Sequence, residues 1–65
     1  MQKYIERMKE EEKELIGRIK RAENALENPP FGADSTGLHL LEKQCDAMKV
    51  YLDILRQRIK YEEKK

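Results

Sequence analysis

Three side chains on one stretch of the chain have the types and the spacing to handle a flat, charged guest: Gln44, Tyr51 and Arg58, each one heptad from the next. An amide, an aromatic face and a guanidinium are the groups that hold a nucleobase and a phosphate, through hydrogen bonds, stacking and charge-assisted N–H donation. Lys49 and Arg56 interleave with them, and Tyr4 and Arg7 near the start of the chain add a second aromatic and a further guanidinium. The same residues also have a structural reading. Tyrosine and arginine are favoured anchors between subunits, so Gln44, Tyr51 and Arg58 can equally be hydrogen-bonding groups in an otherwise apolar interface, and on the residues alone that reading takes precedence.

Other chemistries find no support in the residues. No paired-carboxylate, triad or cofactor signature is present, so no catalytic residue is assigned, no cofactor is expected, and the chain reads as a non-enzyme. His39, Glu42 and Asp46 share a helix face, but one histidine without a contribution from a second helix falls short of a metal site. Cys45 lies among apolar neighbours with no base placed beside it, as a small buried hydrophobe does. The Gly32–Gly37 turn precedes a helix and offers free amides, yet it lacks the Lys-Ser/Thr pair of a phosphate-binding loop and follows no strand, so it is read as a cap.

The elements that must position these residues are legible from periodicity. Over 2–27 the apolar residues Ile5, Met8, Leu15, Ile19, Ala22 and Leu26 recur three and four apart, which predicts one long helix whose seam carries a single polar interruption, Glu12. Asn28-Pro29-Pro30 stops it, since proline lacks a donor and disfavours helical backbone in the residue before it. A loop over 28–35 follows, with Asp34, Ser35 or Thr36 as the alternative caps of a second helix over 36–62. Phe31 is expected to plug the end of the helix–helix interface.

Two helices of nearly equal length, each about 40 Å at 1.5 Å per residue, joined by a short loop predict an all-α, antiparallel, coiled-coil-like two-helix hairpin, with residues 1–65 as one domain. In that register Glu12 comes within reach of Tyr51, Arg56 or Arg58, either as a register-setting polar group or as part of a site. Tyr4, Arg7 and Lys3 come beside Arg58, Lys60 and Tyr61.

The second helix has more apolar surface than the hairpin can use. Leu38, Leu41, Cys45, Met48, Leu52, Leu55 and Ile59 complete one seam, while Leu40, Gln44, Ala47, Tyr51, Ile54, Arg58 and Tyr61 repeat the spacing on another face. The first helix has only one seam. The surplus implies self-association into a four-helix bundle or a larger oligomer, with Leu40, Ala47, Tyr51, Ile54 and Tyr61 at the interface.

Composition narrows the partners. At 65 residues the chain buries too small a fraction of its surface to be comfortably stable alone, which again points to a homo-oligomer. Fourteen basic residues stand against thirteen acidic ones, distributed evenly over both halves, which argues against duplex nucleic acid as a partner. No apolar run reaches the length of a membrane span, and the acidic residues mixed through both helices weaken a membrane-surface role. One cysteine and no secretion-type leader lead to the expectation of a cytoplasmic location.

"YIERM" at Tyr4–Met8, "PPF" at Pro29–Phe31 and "LLEKQCDAMKVYLDILRQRI" at Leu40–Ile59 resemble a family of small helical-hairpin proteins of tailed phages and prophages, related to a crAss-like phage gene product. The second helix carries most of the resemblance, which spans nearly the whole chain; the glycine-rich loop at Gly32–Gly37 departs from it. The resemblance implies phage origin and expression in a host bacterial cytoplasm. Phages encode small oligomeric hairpins that sequester cyclic-nucleotide immune signals, and this chain is similar to those in size and form.

Two functions follow as expectations. One is an oligomeric counter-defence protein that binds a small anionic signalling nucleotide through Tyr4, Arg7, Gln44, Lys49, Tyr51, Arg56 and Arg58. The alternative is an interaction module that binds and inhibits or scaffolds a host or phage protein through a dimeric helical bundle.

Overall fold

The computed structural model describes residues 2–65, with side chains from residue 3 onward. Helix α1 spans Gln2–Glu27 and helix α2 spans Ser35–Lys64, and the two pack against each other as an antiparallel hairpin about 48 Å long. Helix α2 thus starts one residue before, and ends two residues after, the span read from the sequence. Both segments are built mainly from Lys, Glu, Arg, Leu and Met, residues that lose little side-chain freedom in a helix, so local preference and hydrophobic pattern agree.

The turn between the helices is set by local chemistry. The chain leaves α1 with the Asn28 amide still donating to the Asn24 carbonyl at 2.8 Å, and Pro29 and Pro30 prevent continuation. The Ala33 amide then donates to the Pro30 carbonyl at 3.1 Å, closing a turn whose third residue, Gly32, has φ of 89°. A left-handed residue at that position of a type II turn is nearly always glycine. Of the three candidate caps, Asp34 takes the role: its side chain accepts from the Gly37 amide at 2.7 Å. A β-carbon at position 37 would sit 3.0 Å from that same carboxylate oxygen, so glycine there leaves the cap its room.

Phe31 does not plug the interface. It occupies the second corner of the turn, pointing outward with a relative exposure of 109%. The physical reason is the turn itself: Pro29, Pro30 and the left-handed Gly32 fix the backbone so that the ring leaves the hairpin axis rather than folding under it.

The interior is one line of contact. Met8, Leu15, Ile19 and Ala22 of α1 meet Cys45, Leu55 and Ile59 of α2, with Leu26, Leu41, Met48 and Leu52 packed against them half-buried. Leu55 is the most enclosed, with no exposed surface. The second face of α2 stays outside: Leu40, Ile54 and Tyr61 are 60%, 52% and 63% exposed, and Gln44, Ala47, Tyr51 and Arg58 are exposed beside them. The hairpin presents 5509 Å² of accessible surface, whereas size scaling gives roughly 4,400 Å² for a compact monomer of this length.

Leu55→Ala removes the best-packed side chain of this line and is expected to lower the free energy of unfolding by about 2–5 kcal/mol. Urea denaturation followed by helical circular dichroism at fixed protein concentration measures it. A midpoint equal to the parent chain's would mean that the seam is not the core.

Candidate functional site

The two long edges of the hairpin carry different chemistry. Lys49, Arg56 and Glu63 are one heptad apart on α2 and stack along one edge, where each meets a residue of opposite charge on α1. Lys49 Nζ lies 3.0 Å from Glu23, Arg56 Nε donates to Glu12 at 2.8 Å, and Lys9 Nζ reaches Glu63 at 2.8 Å. Of the donors expected near Glu12, Arg56 is the one that engages it. The Glu12–Arg56 and Lys9–Glu63 pairs line an open groove of about 420 Å³ between the helices, together with Asp53, Gln57 and Lys60. Its charges are of both signs and largely matched within the chain, so it offers an anion little that Glu12 and Glu63 do not already hold.

The ladder is exposed, and its energetic weight is correspondingly small. The ammonium groups of Lys9 and Lys49 are both raised above the ordinary 10.5, first by their hydrogen bonds to Glu63 and Glu23 and then by the charges of those same carboxylates. A raised folded-state value means the stabilisation is complete below the unfolded value near 10.5. It is lost as the pH climbs through the raised value.

The opposite edge is organised by Tyr4 and Arg58. Arg58 Nη2 donates to the Tyr4 hydroxyl at 2.6 Å, tying the two ends of the chain together. Tyr51 and Gln44, one and two heptads before Arg58, lie on the same edge and are exposed. Gln44 precedes Lys49 and Tyr51 precedes Arg56 by five residues, and Arg58 follows Arg56 by two, offsets of about 140–160° around the helix. The residues proposed from the sequence as one site are therefore divided within a single hairpin: Tyr4, Gln44, Tyr51 and Arg58 along one edge, Lys49 and Arg56 along the other. Arg7, a turn beyond Tyr4 on α1, is exposed.

The first edge lacks what the second has, an arginine without a carboxylate. Among the described residues no ion pair is formed by Arg58, which is exposed and gives one of its five N–H donors to Tyr4. At the C-terminal end Lys65 Nζ lies 4.9 Å from the centre of the Tyr61 ring, a cation–π contact that covers one face of that ring. Cys45 is buried, 2% exposed, in the seam. Among the described residues no group of three or more His, Cys, Asp or Glu side chains is placed to hold a metal ion, and no helix is long and apolar enough to cross a membrane.

The charge ladder was not singled out from the sequence, although its signal is there: Lys49, Arg56 and Glu63 at heptad spacing, with α1 acids and Lys9 at matching depth. Glu12→Leu at this ladder is expected to raise the denaturation midpoint, because it replaces an exposed ion pair worth about 0.2–1 kcal/mol with apolar burial on the seam. A lower midpoint would show that the Glu12–Arg56 pair does more than set register.

The chain belongs to the Sequestin family, whose model matches residues 2–61, nearly its whole length. The family name fits a protein that binds and holds a ligand rather than one that transforms it. Comparisons with curated proteins and with solved structures returned no match.

Proposed function

We propose that this protein is a non-enzymatic molecular sponge of phage type, an oligomeric hairpin that binds a small anionic signalling nucleotide of the cyclic immune-messenger class and lowers its free concentration in the host cytoplasm. The observation that carries the proposal is the Tyr4–Arg58 edge: an aromatic hydroxyl and a guanidinium joined at 2.6 Å, with Arg58 in no ion pair among the described residues. Tyr51 and Gln44 stand one and two heptads along the same edge. Membership of a family named for sequestration supports the same direction.

The division of the basic residues between two edges sharpens the assignment. Arg58 has donors to spare for a phosphate, whereas Lys49 and Arg56 would each have to release a carboxylate first. Tyr51 supplies a flat surface for a base, and Gln44 an amide that pairs with base edges. Lys49 and Arg56, neutralised by Glu23 and Glu12, are left out of the anion site on this reading.

Isothermal titration with a panel of cyclic di- and trinucleotides and cyclic ADP-ribose isomers tests the proposal. At least one member is expected to bind and to be recovered chemically unchanged after the protein is heat-denatured. Arg58→Ala should weaken that binding by about 10- to 100-fold, the range for losing hydrogen bonds to a charged group. Absence of heat and of any thermal shift across the panel would overturn the proposal, and a released product differing from the added nucleotide would overturn its non-enzymatic part.

A further inference from the structure

We infer that two copies of this chain pack antiparallel through the exposed face of α2, about a two-fold axis at Tyr51, and that each end of this interface forms an anion site neither copy has alone. Arg58 with its Tyr4 comes from one copy. The turn of Lys43 and Gln44 comes from the other. The inference rests on the sequestration reading for its biological meaning, and on the sequence and exposure pattern for its geometry.

An interface closed by a two-fold axis must be complementary to itself: a residue a given distance before the axis meets the residue the same distance after it. The exposed face of α2 has this property. Gln44 and Arg58 are each seven residues from Tyr51, Ala47 and Ile54 are four and three away, and Leu40 and Tyr61 are eleven and ten away. Tyr51 therefore meets its own copy, Ala47 packs on Ile54, a small residue on a large one, and Leu40 covers Tyr61. All of these residues are exposed in the hairpin. The elongated hairpin exposes roughly 1,100 Å² more than a compact monomer of its length, enough for a standard interface of about 800 Å² per partner to be covered by a second copy.

The same symmetry fixes the chemistry at the two ends. Arg58 of one copy falls opposite the turn of Lys43 and Gln44 of the other, which sets a guanidinium beside an ammonium. Among the described residues of the hairpin neither Arg58 nor Lys43 forms an ion pair. Like charges brought together in a partly desolvated cleft repel, and an anion between them turns the cost into attraction. A phosphate or pyrophosphate fits this demand, with the amide of Gln44 and the hydroxyl of Tyr4 as additional partners. A dimer then holds two such sites, one at each end of the four-helix unit.

Cross-linking tests the geometry without any ligand. In a Cys45→Ser background, Tyr51→Cys should oxidise readily to a covalent dimer, while Lys20→Cys on the outer side of α1 should not. Inorganic pyrophosphate then serves as the probe of the site, followed by NMR titration of the Arg58 guanidinium. Arg58→Ala and the double variant Lys43→Ala/Gln44→Ala should each lose pyrophosphate binding at least tenfold. An equimolar mixture of the two should recover wild-type affinity at one site per mixed dimer, because one end then combines the intact half of each copy. The inference is overturned by a Tyr51→Cys chain that stays monomeric, by a mixture that binds no better than its components, or by wild-type protein that ignores pyrophosphate. None of these outcomes depends on the nucleotide panel, so the sequestration reading stands or falls separately.

Discussion

A pair of helices can touch along only one line, and that limit governs this molecule. Each helix of the hairpin contributes one row of side chains to the contact, and the enclosed residues, from Met8 to Ala22 on α1 and from Cys45 to Ile59 on α2, form a core one residue deep. Helix α1 has one apolar row and spends it entirely there. Helix α2 has two, and geometry leaves the second outside. The exposed stripe is thus a consequence of how many faces a helix can bury against a single neighbour.

The polar residues divide along the same geometry. On the edge where α1 supplies Glu12, Glu23 and Lys9, every charged group of the ladder is answered within the chain. On the edge where it supplies Tyr4, the arginine of α2 meets a neutral hydroxyl and keeps its charge. Such pairs at high exposure contribute little to stability, but they decide where charge is neutralised and where it persists. The unneutralised edge is also the one adjoining the apolar stripe, so the surface suited to an anion and the surface suited to another protein chain are continuous.

Much of this was legible in the sequence. The three-four spacing of Ile5 to Leu26 and of Leu38 to Ile59 specified the helices and their contact row, the Pro29-Pro30 pair specified where the chain reverses, and Glu12 announced itself as the one acid on an apolar row, with Arg56 among its expected partners. Two things were not legible. The outward aim of Phe31 depends on the backbone angles of a glycine turn, and hydrophobicity alone suggested the opposite. The separation of Lys49 and Arg56 from Arg58 was obscured by grouping residues by chemical type. The two residues from Arg56 to Arg58, and the nine from Lys49, carry the chain roughly half-way round the helix to the other edge, which is visible in the numbering once the contact row is fixed as the reference.

Cys45 carries a consequence of another kind. It is the sole thiol of the chain and sits in the contact row between the helices, almost wholly enclosed. A modifying reagent can reach it only while α1 and α2 are apart, so its rate of modification is a clock for that separation, with no second thiol to blur the signal. Anything that clamps the hairpin shut, whether a neighbouring subunit or a captured small molecule, slows the clock, and the protein thereby carries its own gauge of occupancy.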